Sequence, residues 1–215
     1  MTRRFLYAIK LIAICLAISC SAFSLNARNY SLILSGGYTG STGNYTVLQG
    51  DAAYGLKEVN IDKTNGAIIE LAFQMPVYDR FYFSPATAFD IRYVQYGKWL
   101  GEFSLRATGG YSLPVTKVTF DIFTGPRMDV KAFEYVSEVW DAVIPGVDNS
   151  APRYNSVNAY WMFGIGSEFH NLILKGSYSL PLTRYVKPFK HPSDEYHKRL
   201  HIFEVTLGYR FSLGK

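Results

Sequence analysis

Large apolar side chains alternate with small or charged ones over residues 80–93. The odd positions carry large apolar groups such as Phe81 and Phe89, and the even positions carry groups such as Ala88 and Asp90. Because side chains on a β-strand point to opposite faces in turn, the pattern predicts a strand with one bulky and one small face. The stretch exceeds the roughly 9–11 residues that a tilted strand needs to cross a bilayer. It is therefore typical of a strand in a membrane barrel.

The same alternation recurs along the chain and predicts eight strands. They cover residues 30–39, 67–75, 80–93, 102–111, 118–127, 157–169, 172–182 and 201–213. Long or variable connections, at residues 40–66, 95–98, 129–156 and 184–199, follow the odd-numbered strands. Tight turns near residues 76–79, Pro114 and residues 170–171 follow the even-numbered ones. This alternation predicts an all-β fold, an eight-stranded antiparallel up-and-down transmembrane β-barrel with both termini in the periplasm.

Charged residues of the predicted strands share the face that carries the small side chains. The predicted interior charge network consists of Glu70, Asp90, Arg92, Glu102, Arg106, Asp121, Arg127, Glu168, Lys175, Glu204 and Arg210. Burial requires charges to pair, and Asp90/Arg92, Glu102/Arg106 and Asp121/Arg127 are candidate pairs. On the bulky face, His201 is the single acidic or basic residue. The predicted lipid-facing residues are Phe81, Phe83, Phe89, Ile91, Tyr93, Trp161, Phe163, Leu174, Tyr178, Phe203, Tyr209 and Phe211.

A soluble, lipocalin-like lipid binder is the main alternative fold, with the apolar face turned inward. An eight-stranded barrel has an interior only just wide enough for side chains or one small ligand. The rows of Phe, Tyr, Trp and Leu are too bulky for that interior, whereas the Ala-, Ser- and Gly-rich charged face fits it. The pattern therefore favours the membrane barrel.

The first residues have the pattern of a cleavable signal peptide. Arg3, Arg4 and Lys10 precede or flank a short apolar core, and small residues follow it. This core is shorter than the roughly 20 residues that a membrane-spanning helix needs. We therefore assign residues 1–27 to a signal peptide and residues 28–215 to an exported outer-membrane β-barrel domain. Cys20 has a second interpretation as a lipidation site, since Ala-Ile-Ser-Cys loosely resembles a bacterial lipobox.

The net charge and the cysteines change little in this picture. The formal charge is +5, but removal of the leader leaves 19 basic residues (22 − 3) against 17 acidic ones. No basic stripe interleaved with stacking aromatics is present, so we expect no nucleic-acid partner. Both cysteines, Cys15 and Cys20, lie in the leader, so the mature chain is expected to fold without disulfides.

The architecture, together with the aromatic ending over residues 207–213, resembles the small eight-stranded outer-membrane barrels of the OmpA-transmembrane-domain and OmpX type. Among these, the chain is most similar to the outer-membrane β-barrel domain proteins of Bacteroidetes-like bacteria. The resemblance implies insertion by the barrel-assembly machinery, which reads a terminal aromatic strand, and contact with outer-membrane lipid and lipopolysaccharide. Gly214 and Lys215 follow the last aromatic strand here, which is a departure from the family pattern.

The outer connections are the expected functional regions, because loops held by a rigid scaffold commonly carry function. Within residues 129–144, Phe133, Val136 and Trp140 recur near helical spacing before Pro145 and Gly146. One interpretation is a short amphipathic helix in the third outer loop that binds a protein partner or the membrane surface. The other is a helix or strand extension that packs on the rim of its own barrel.

Two further function classes, a lipid-modifying enzyme and a narrow pore, stay open. His191, Ser193 and Glu195 supply the residue types of a lipid acyl hydrolase or transferase, but Pro192 lies between the first two in an expected loop. His191, Asp194 and His197 match no defined metal spacing, so we predict no metal site and no cofactor. The interior charges would line a narrow pore or plug it. The favoured prediction is a non-enzymatic surface protein in envelope structure, adhesion or complex assembly.

Overall fold

The structure, a computed structural model, describes residues 30–42, 46–51, 55–60, 63–94, 98–136, 156–183 and 200–213. Regular elements in these ranges are all strands: β1 (Ser31–Thr42), β2 (Thr46–Asp51), β3 (Gly55–Asn60), β4 (Lys63–Tyr78), β5 (Phe81–Val94), β6 (Lys98–Val115), β7 (Val118–Val136), β8 (Val157–Phe169), β9 (Leu172–Pro181) and β10 (His201–Ser212). Eight of them close into a barrel in the order β1-β10-β9-β8-β7-β6-β5-β4. All neighbours in this barrel are antiparallel. The predicted all-β, eight-stranded up-and-down barrel is confirmed.

Three two-residue turns join β4 to β5, β6 to β7 and β8 to β9. They lie at residues 79–80, 116–117 and 170–171. In the third turn, His170 and Asn171 have φ angles of 47° and 69°, as the hairpin turns that match strand twist require. The turn predicted near Pro114 is displaced to residues 116–117, because Pro114 stays in the ladder opposite Thr119. The turns share one end of the barrel with the start of β1 and the end of β10, as the up-and-down topology requires.

The first outer connection contains a hairpin that the sequence analysis did not predict. β1 continues to Thr42, β4 begins at Lys63, and β2 pairs with β3 in a separate two-stranded sheet between them. Val47 and Val59 are register partners in this hairpin, and β-branched residues favour strands. The sequence analysis predicted a loop here because residues 40–66 are rich in Gly, Ser, Thr and Asn and the two strands of the hairpin are only six residues long.

Of the two interpretations of residues 129–144, the structure shows the strand extension over the first half, where the helix is wrong. β7 runs without interruption to Val136 and pairs with β6 as far as Lys98, with one register shift between Gly101 and Glu102. Cross-strand pairing with β6 overrides the helical spacing of the apolar residues there. Trp140 and the rest of that segment lie outside the described residues. No helix that would be long and apolar enough to cross a membrane occurs in the described part of the chain.

The barrel wall separates apolar from charged side chains. Ile69 and Ile165, on the outer face, are 63% and 67% exposed. Inside, a small apolar cluster of Ile33, Ala72 and Ile173 lies toward the end with the turns. Among the described residues, buried polar and charged side chains outnumber buried apolar ones, which is the inverse of the usual distribution in a soluble protein.

Glycines allow close contacts between neighbouring strands. At Gly125 on β7, a Cβ atom would lie 2.1 Å from the carbonyl oxygen of Ala107 on β6. At Gly110 on β6, a Cβ atom would lie 2.2 Å from the inward-pointing ring of Tyr82. A backbone oxygen has less freedom to move than the end of a side chain, so Gly125 is the stricter of the two positions.

We expect Gly125→Ala to destabilise the barrel by about 1–3 kcal/mol, the usual cost of forcing extra atoms into a packed site. The measurement is the urea midpoint of the folded fraction in detergent micelles. Gly109→Ala on β6 is the matched control, because a Cβ atom there would meet nothing within 4 Å. Equal midpoints for the two variants would contradict the close approach of β6 and β7 at Gly125.

Candidate functional site

Every charge predicted for the interior lies on the inner face of the barrel. Eight of these residues are buried: Glu70, Asp90, Arg92, Glu102, Arg106, Asp121, Arg127 and Glu204. The side chains of Glu168, Lys175 and Arg210 lie nearer the end with the turns and are 16–20% exposed. Strand alternation alone produces this arrangement, because each charge occupies an inward position of its own strand.

Arg106 joins three strands near the middle of the lumen. Its Nη1 donates to Glu70 Oε2 on β4 at 2.7 Å and to Glu204 Oε2 on β10 at 2.9 Å. Its Nη2 donates to Glu204 Oε1 at 2.9 Å. The paired bonds to Glu204 form a bidentate arginine–carboxylate contact, which is among the stronger polar interactions in proteins. The three residues therefore bridge the lumen between strands that are not neighbours.

Glu204 also links Arg106 to a second arginine. Arg127 Nη1 donates to Glu204 Oε1 at 2.5 Å, and Arg127 Nε donates to Asp129 Oδ1 at 2.7 Å. Arg127 Nη2 lies 3.4 Å from Asp90 Oδ2. The guanidinium carbon is 5.6 Å from the ring centroid of Tyr160, within the range of a cation–π contact.

Arg92 completes the network toward the loop end. Its Nε donates to Asp90 Oδ1 at 3.0 Å, and its Nη2 forms an ion pair with Glu102. The carboxylates of Asp90, Glu102 and Asp129 offer oxygens within 4.8 Å of one another, a spacing compatible with metal ligation. Arg92 and Arg127 are bonded to these same carboxylates, so the positive charge that the cluster needs is already present.

The actual partners differ from the pairs expected from sequence proximity. Asp90 does pair with Arg92, but Glu102 pairs with Arg92 in place of Arg106. Asp121 does not pair with Arg127; it accepts a 2.5 Å hydrogen bond from the hydroxyl of Ser112. These two candidate pairs are wrong because strand tilt and register bring distant inward positions to one level of the lumen.

Asp129 is the interior residue that the sequence analysis missed. It was assigned to the third outer loop, whereas the structure places it on β7, fully buried beside Arg127. The available signal was its position two residues after Arg127, which puts both side chains on one face of a continuing strand.

The charged side chains of the lumen are more exposed toward the end with the turns. Lys175 Nζ lies 3.2 Å from Glu70 Oε1, and Arg210 Nη2 lies 2.8 Å from Glu168 Oε2. A cavity of about 30 Å³ is lined there by polar groups that include Glu70, Asp121 and Lys175. That space and lining suit a bound water molecule. The turn end of the lumen thus has room for a water molecule, whereas the side chains of Arg92 and Arg127 are fully buried.

The predicted lipid-facing residues all lie on the outer face. They are exposed or, for Phe89 and Phe203, half-buried against neighbouring rings. Phe81 packs on Tyr111 at a centroid distance of 5.0 Å near the turns, and Phe89 packs on Phe103 at 4.8 Å nearer the loops. His201 accompanies them and its Nδ1 lies 2.6 Å from the Tyr178 hydroxyl. Aromatic residues therefore occur toward both ends of the apolar wall.

Of the predicted partner-binding residues, the structure places Phe133 on β7 with its side chain 40% exposed. Val136 ends the same strand. Trp140 and the residues weighed for catalysis or metal binding, His191, Ser193, Asp194, Glu195 and His197, lie outside the described residues. No contact among the described residues brings Phe133, Val136 and Trp140 together.

The sequence matches no protein-family model and no curated protein. Solved structures are similar in fold. Neisserial surface protein A (NspA) matches with a TM-score of 0.50 and 11% identity over 85% of this chain and 96% of that chain. OprG of Pseudomonas aeruginosa matches with a TM-score of 0.45 and 12% identity over 84% and 95%. Ail, the attachment invasion locus protein of Yersinia pestis, matches with a TM-score of 0.39 and 12% identity over 84% and 98%.

The similarity to NspA concerns the fold, since few residues are shared. In this chain, that fold is a closed eight-stranded antiparallel barrel with an apolar outer wall. On these grounds, the chain has the fold of the small eight-stranded outer-membrane barrels that its sequence resembles.

Proposed function

We propose that the chain is an integral barrel of the bacterial outer membrane that acts through its outer loops, without enzymatic activity, in envelope structure, adhesion or complex assembly. The observation that carries this proposal is the inverted distribution of side chains. Apolar groups cover the outside of a closed barrel, and paired charges fill the inside. Export by the predicted signal peptide and insertion by the barrel-assembly machinery belong to the same proposal.

The outer wall suits hydrocarbon and not water. Each large apolar side chain gains about 1.5–3 kcal/mol when it leaves water, and exposed groups such as Ile122, Leu174 and Leu207 occur on several strands. Barrel closure satisfies the backbone within the wall, which a lipid environment demands. Aromatic residues toward both ends are typical of the two membrane interfaces.

The inner wall does not suit a lipid-binding pocket, which was the soluble alternative. Such a pocket requires apolar lining and a volume for the ligand, whereas the described interior holds an ion-pair network and a cavity of about 30 Å³. The same network argues against a pore. Arg92 and Arg127 are 0% and 2% exposed, so their side chains are packed within the lumen and do not line an open channel.

The described residues offer little support for acyl chemistry. A catalytic constellation needs a nucleophile in hydrogen-bonding contact with a base. His201, on the outer wall, has the Tyr178 hydroxyl as its described hydrogen-bond partner, and a phenol is not the nucleophile that acyl hydrolysis by a Ser–His pair needs. The non-enzymatic proposal therefore rests on the closed scaffold and on loops that emerge at one end of it.

The loop end is distinct from the turn end. The hairpin of β2 and β3 belongs to the first outer connection. The pairing of β7 with β8 ends at Val130 and Val157, whereas the pairing of β7 with β6 continues toward the loops as far as Val136 and Lys98. Phe133 lies on this extension. Protein or lipopolysaccharide partners would meet these elements first, since loops on a rigid scaffold are the usual binding regions.

The location can be tested by gel migration of the outer-membrane fraction, with and without boiling in detergent. We expect a band whose mobility changes on boiling, because a closed hydrogen-bonded barrel resists detergent until it is heated. A variant without residues 43–62, prepared from cells in the same way, should keep this shift. It should lose binding of the partner that the outer loops contact. A heat-independent band in the soluble periplasmic fraction would contradict the proposal.

The role of the ion-pair network can be tested with Arg106→Ala. This change leaves the buried carboxylates of Glu70 and Glu204 with fewer partners, so we expect the barrel to lose about 3–5 kcal/mol of stability. The readout is the urea midpoint of the heat-sensitive folded band.

Arg210→Ala is the matched control for Arg106→Ala. Arg210 pairs with Glu168 alone among the described residues, and both side chains are partly exposed, so the expected loss is about 0–1 kcal/mol, as for a surface ion pair. Comparable losses in the two variants would show that burial does not set the worth of these contacts.

A further inference from the structure

The register of the strands gives the relative height of residues on different sides of the barrel, where height is measured along the barrel axis toward the loops. A row of register partners leaves β1 at Gly40, crosses every other strand and arrives at Met75 on β4. Met75 lies beside Tyr30, because its neighbour Gln74 pairs with Ser31. One circuit therefore carries the row about ten residues toward the turns. Each step to the next strand lowers the row by about 1.25 residues, and each residue of a tilted strand adds roughly 2.5 Å of height.

Tyr38 on β1 and Trp161 on β8 lie at the same height. The row that starts at Tyr38 reaches β8 at Ile165 after three steps, a fall of about four residues, and Trp161 is four residues nearer the loops. The same row reaches β6 at Tyr111 after two more steps. Trp99 is twelve residues above Tyr111 on that strand, so it stands about 15 Å higher than Tyr38.

On the side of β10, β1 and β4, the apolar wall ends at polar side chains close to the height of Tyr38. The Tyr38 hydroxyl donates to the side chain of Asn65 on β4, which is exposed. On β10, the next outward position above Phe203 is His201, and its Nδ1 lies 2.6 Å from the Tyr178 hydroxyl. Hydrocarbon offers no hydrogen-bond partner to an exposed amide. This height on this side therefore belongs to the polar interface of the membrane.

On the side of β5, β6 and β7, apolar side chains continue to a greater height. Ile91, Tyr93, Trp99 and Phe133 are 37–43% exposed on the outer wall there. The rings of Tyr93 and Trp99 pack with centroids 5.3 Å apart. From Tyr111 to Trp99, this wall is roughly 30 Å tall, which exceeds the apolar band of about 25 Å in other membrane barrels.

Trp161 has the environment of a residue in the middle of that taller wall. Its indole N–H donates to Thr124 Oγ1 on β7 at 2.9 Å, so the donor is satisfied within the wall, as hydrocarbon demands. Tyr38 instead bonds the exposed Asn65. Two aromatic residues at one height thus have different surroundings on different sides of the barrel.

The turn end of the apolar wall is level on both sides. The row from Tyr111 on β6 reaches Val205 on β10 in four steps, a rise of about five residues. Tyr209 and Phe211 are four and six residues nearer the turns than Val205, so they bracket the height of Tyr111. A tilt of the whole barrel would displace one side at both ends, and it does not explain a difference confined to the loop end.

We propose that the barrel thins the outer leaflet on the side of β10, β1 and β4, where the bilayer surface lies on the order of 10 Å lower than beside β5, β6 and β7. This inference rests on the proposed function, because only a barrel in the bilayer has lipid against its outer wall. A bilayer thins beside a short apolar wall because full-length acyl chains would otherwise meet polar side chains. Lipids with shorter acyl chains match the short side, and lipids with longer chains match the tall side.

The test is the depth of single tryptophans in the mature barrel. The barrel is refolded into phosphatidylcholine vesicles whose acyl chains are brominated either near the carbonyl end or near the methyl end, since bromine quenches indole fluorescence at short range. One variant keeps Trp161 and carries Trp99→Phe and Trp140→Phe. Its match carries Tyr38→Trp, with all three native tryptophans changed to Phe. We expect more quenching of Trp161 by methyl-end bromine, and more quenching of the Tyr38→Trp variant by carbonyl-end bromine.

Tyr111→Trp and Tyr209→Trp, each without the native tryptophans, are the controls at the turn end, and we expect carbonyl-end bromine to quench both more strongly. Equal depth for Trp161 and the Tyr38→Trp variant would overturn the thinning and leave the proposed function standing. Unequal depths for the two turn-end variants would indicate a tilted barrel in a flat bilayer and would also overturn it. Absence of quenching by either lipid, in barrels that keep their boiling-dependent gel shift, would overturn both the inference and the proposed function.

Discussion

Glu204 is the point on which the interior of this barrel depends. A carboxylate that leaves water must recover several kcal/mol of lost solvation through charge pairing and hydrogen bonds. Glu204 accepts from Arg106 on β6 and from Arg127 on β7, although its own strand β10 pairs only with β1 and β9 in the barrel. The ladder connects each strand to its neighbours, whereas these ion pairs connect opposite sides of the wall. They therefore fix the cross-section of the barrel as well as its charge balance.

The placement of apolar side chains outside and charged side chains inside follows from the same narrow interior. An interior this narrow accepts small residues and a few long charged ones, and glycines such as Gly110 leave room for inward-pointing rings such as Tyr82. The bulky groups must then stand outside, where only an apolar surrounding stabilises them. The outer wall and the network are thus two consequences of one pattern, since each strand assigns its side chains to the two faces in turn.

This pattern explains why the sequence was informative about the wall and less so about the network. Alternation placed Glu70, Arg106 and Glu204 on the inner face, and the spacing of turns gave the order of strands. The partners depended on strand tilt and register, which no local pattern contains, so Glu102 was paired with the wrong arginine. Asp129 was missed because apolar residues after it recur near helical spacing, and the ladder with β6 decided the conformation instead.

The two ends of the lumen differ in the burial of their charged side chains. At the level of Arg92 and Arg127, the two buried arginines share the carboxylate of Asp90 and fill the interior below the loop end, and the more exposed Lys175 pairs with Glu70 in the other half. A closed interior leaves the outer wall and the outer connections as the surfaces that can meet other molecules. The outer wall carries exposed apolar side chains and, near the loop end, the Tyr178–His201 pair. The outer connections join strands of a closed barrel whose interior is crossed by buried ion pairs. The recognition that we propose for this chain would take place on its surface, and the ion pairs of the interior hold together the wall that carries that surface.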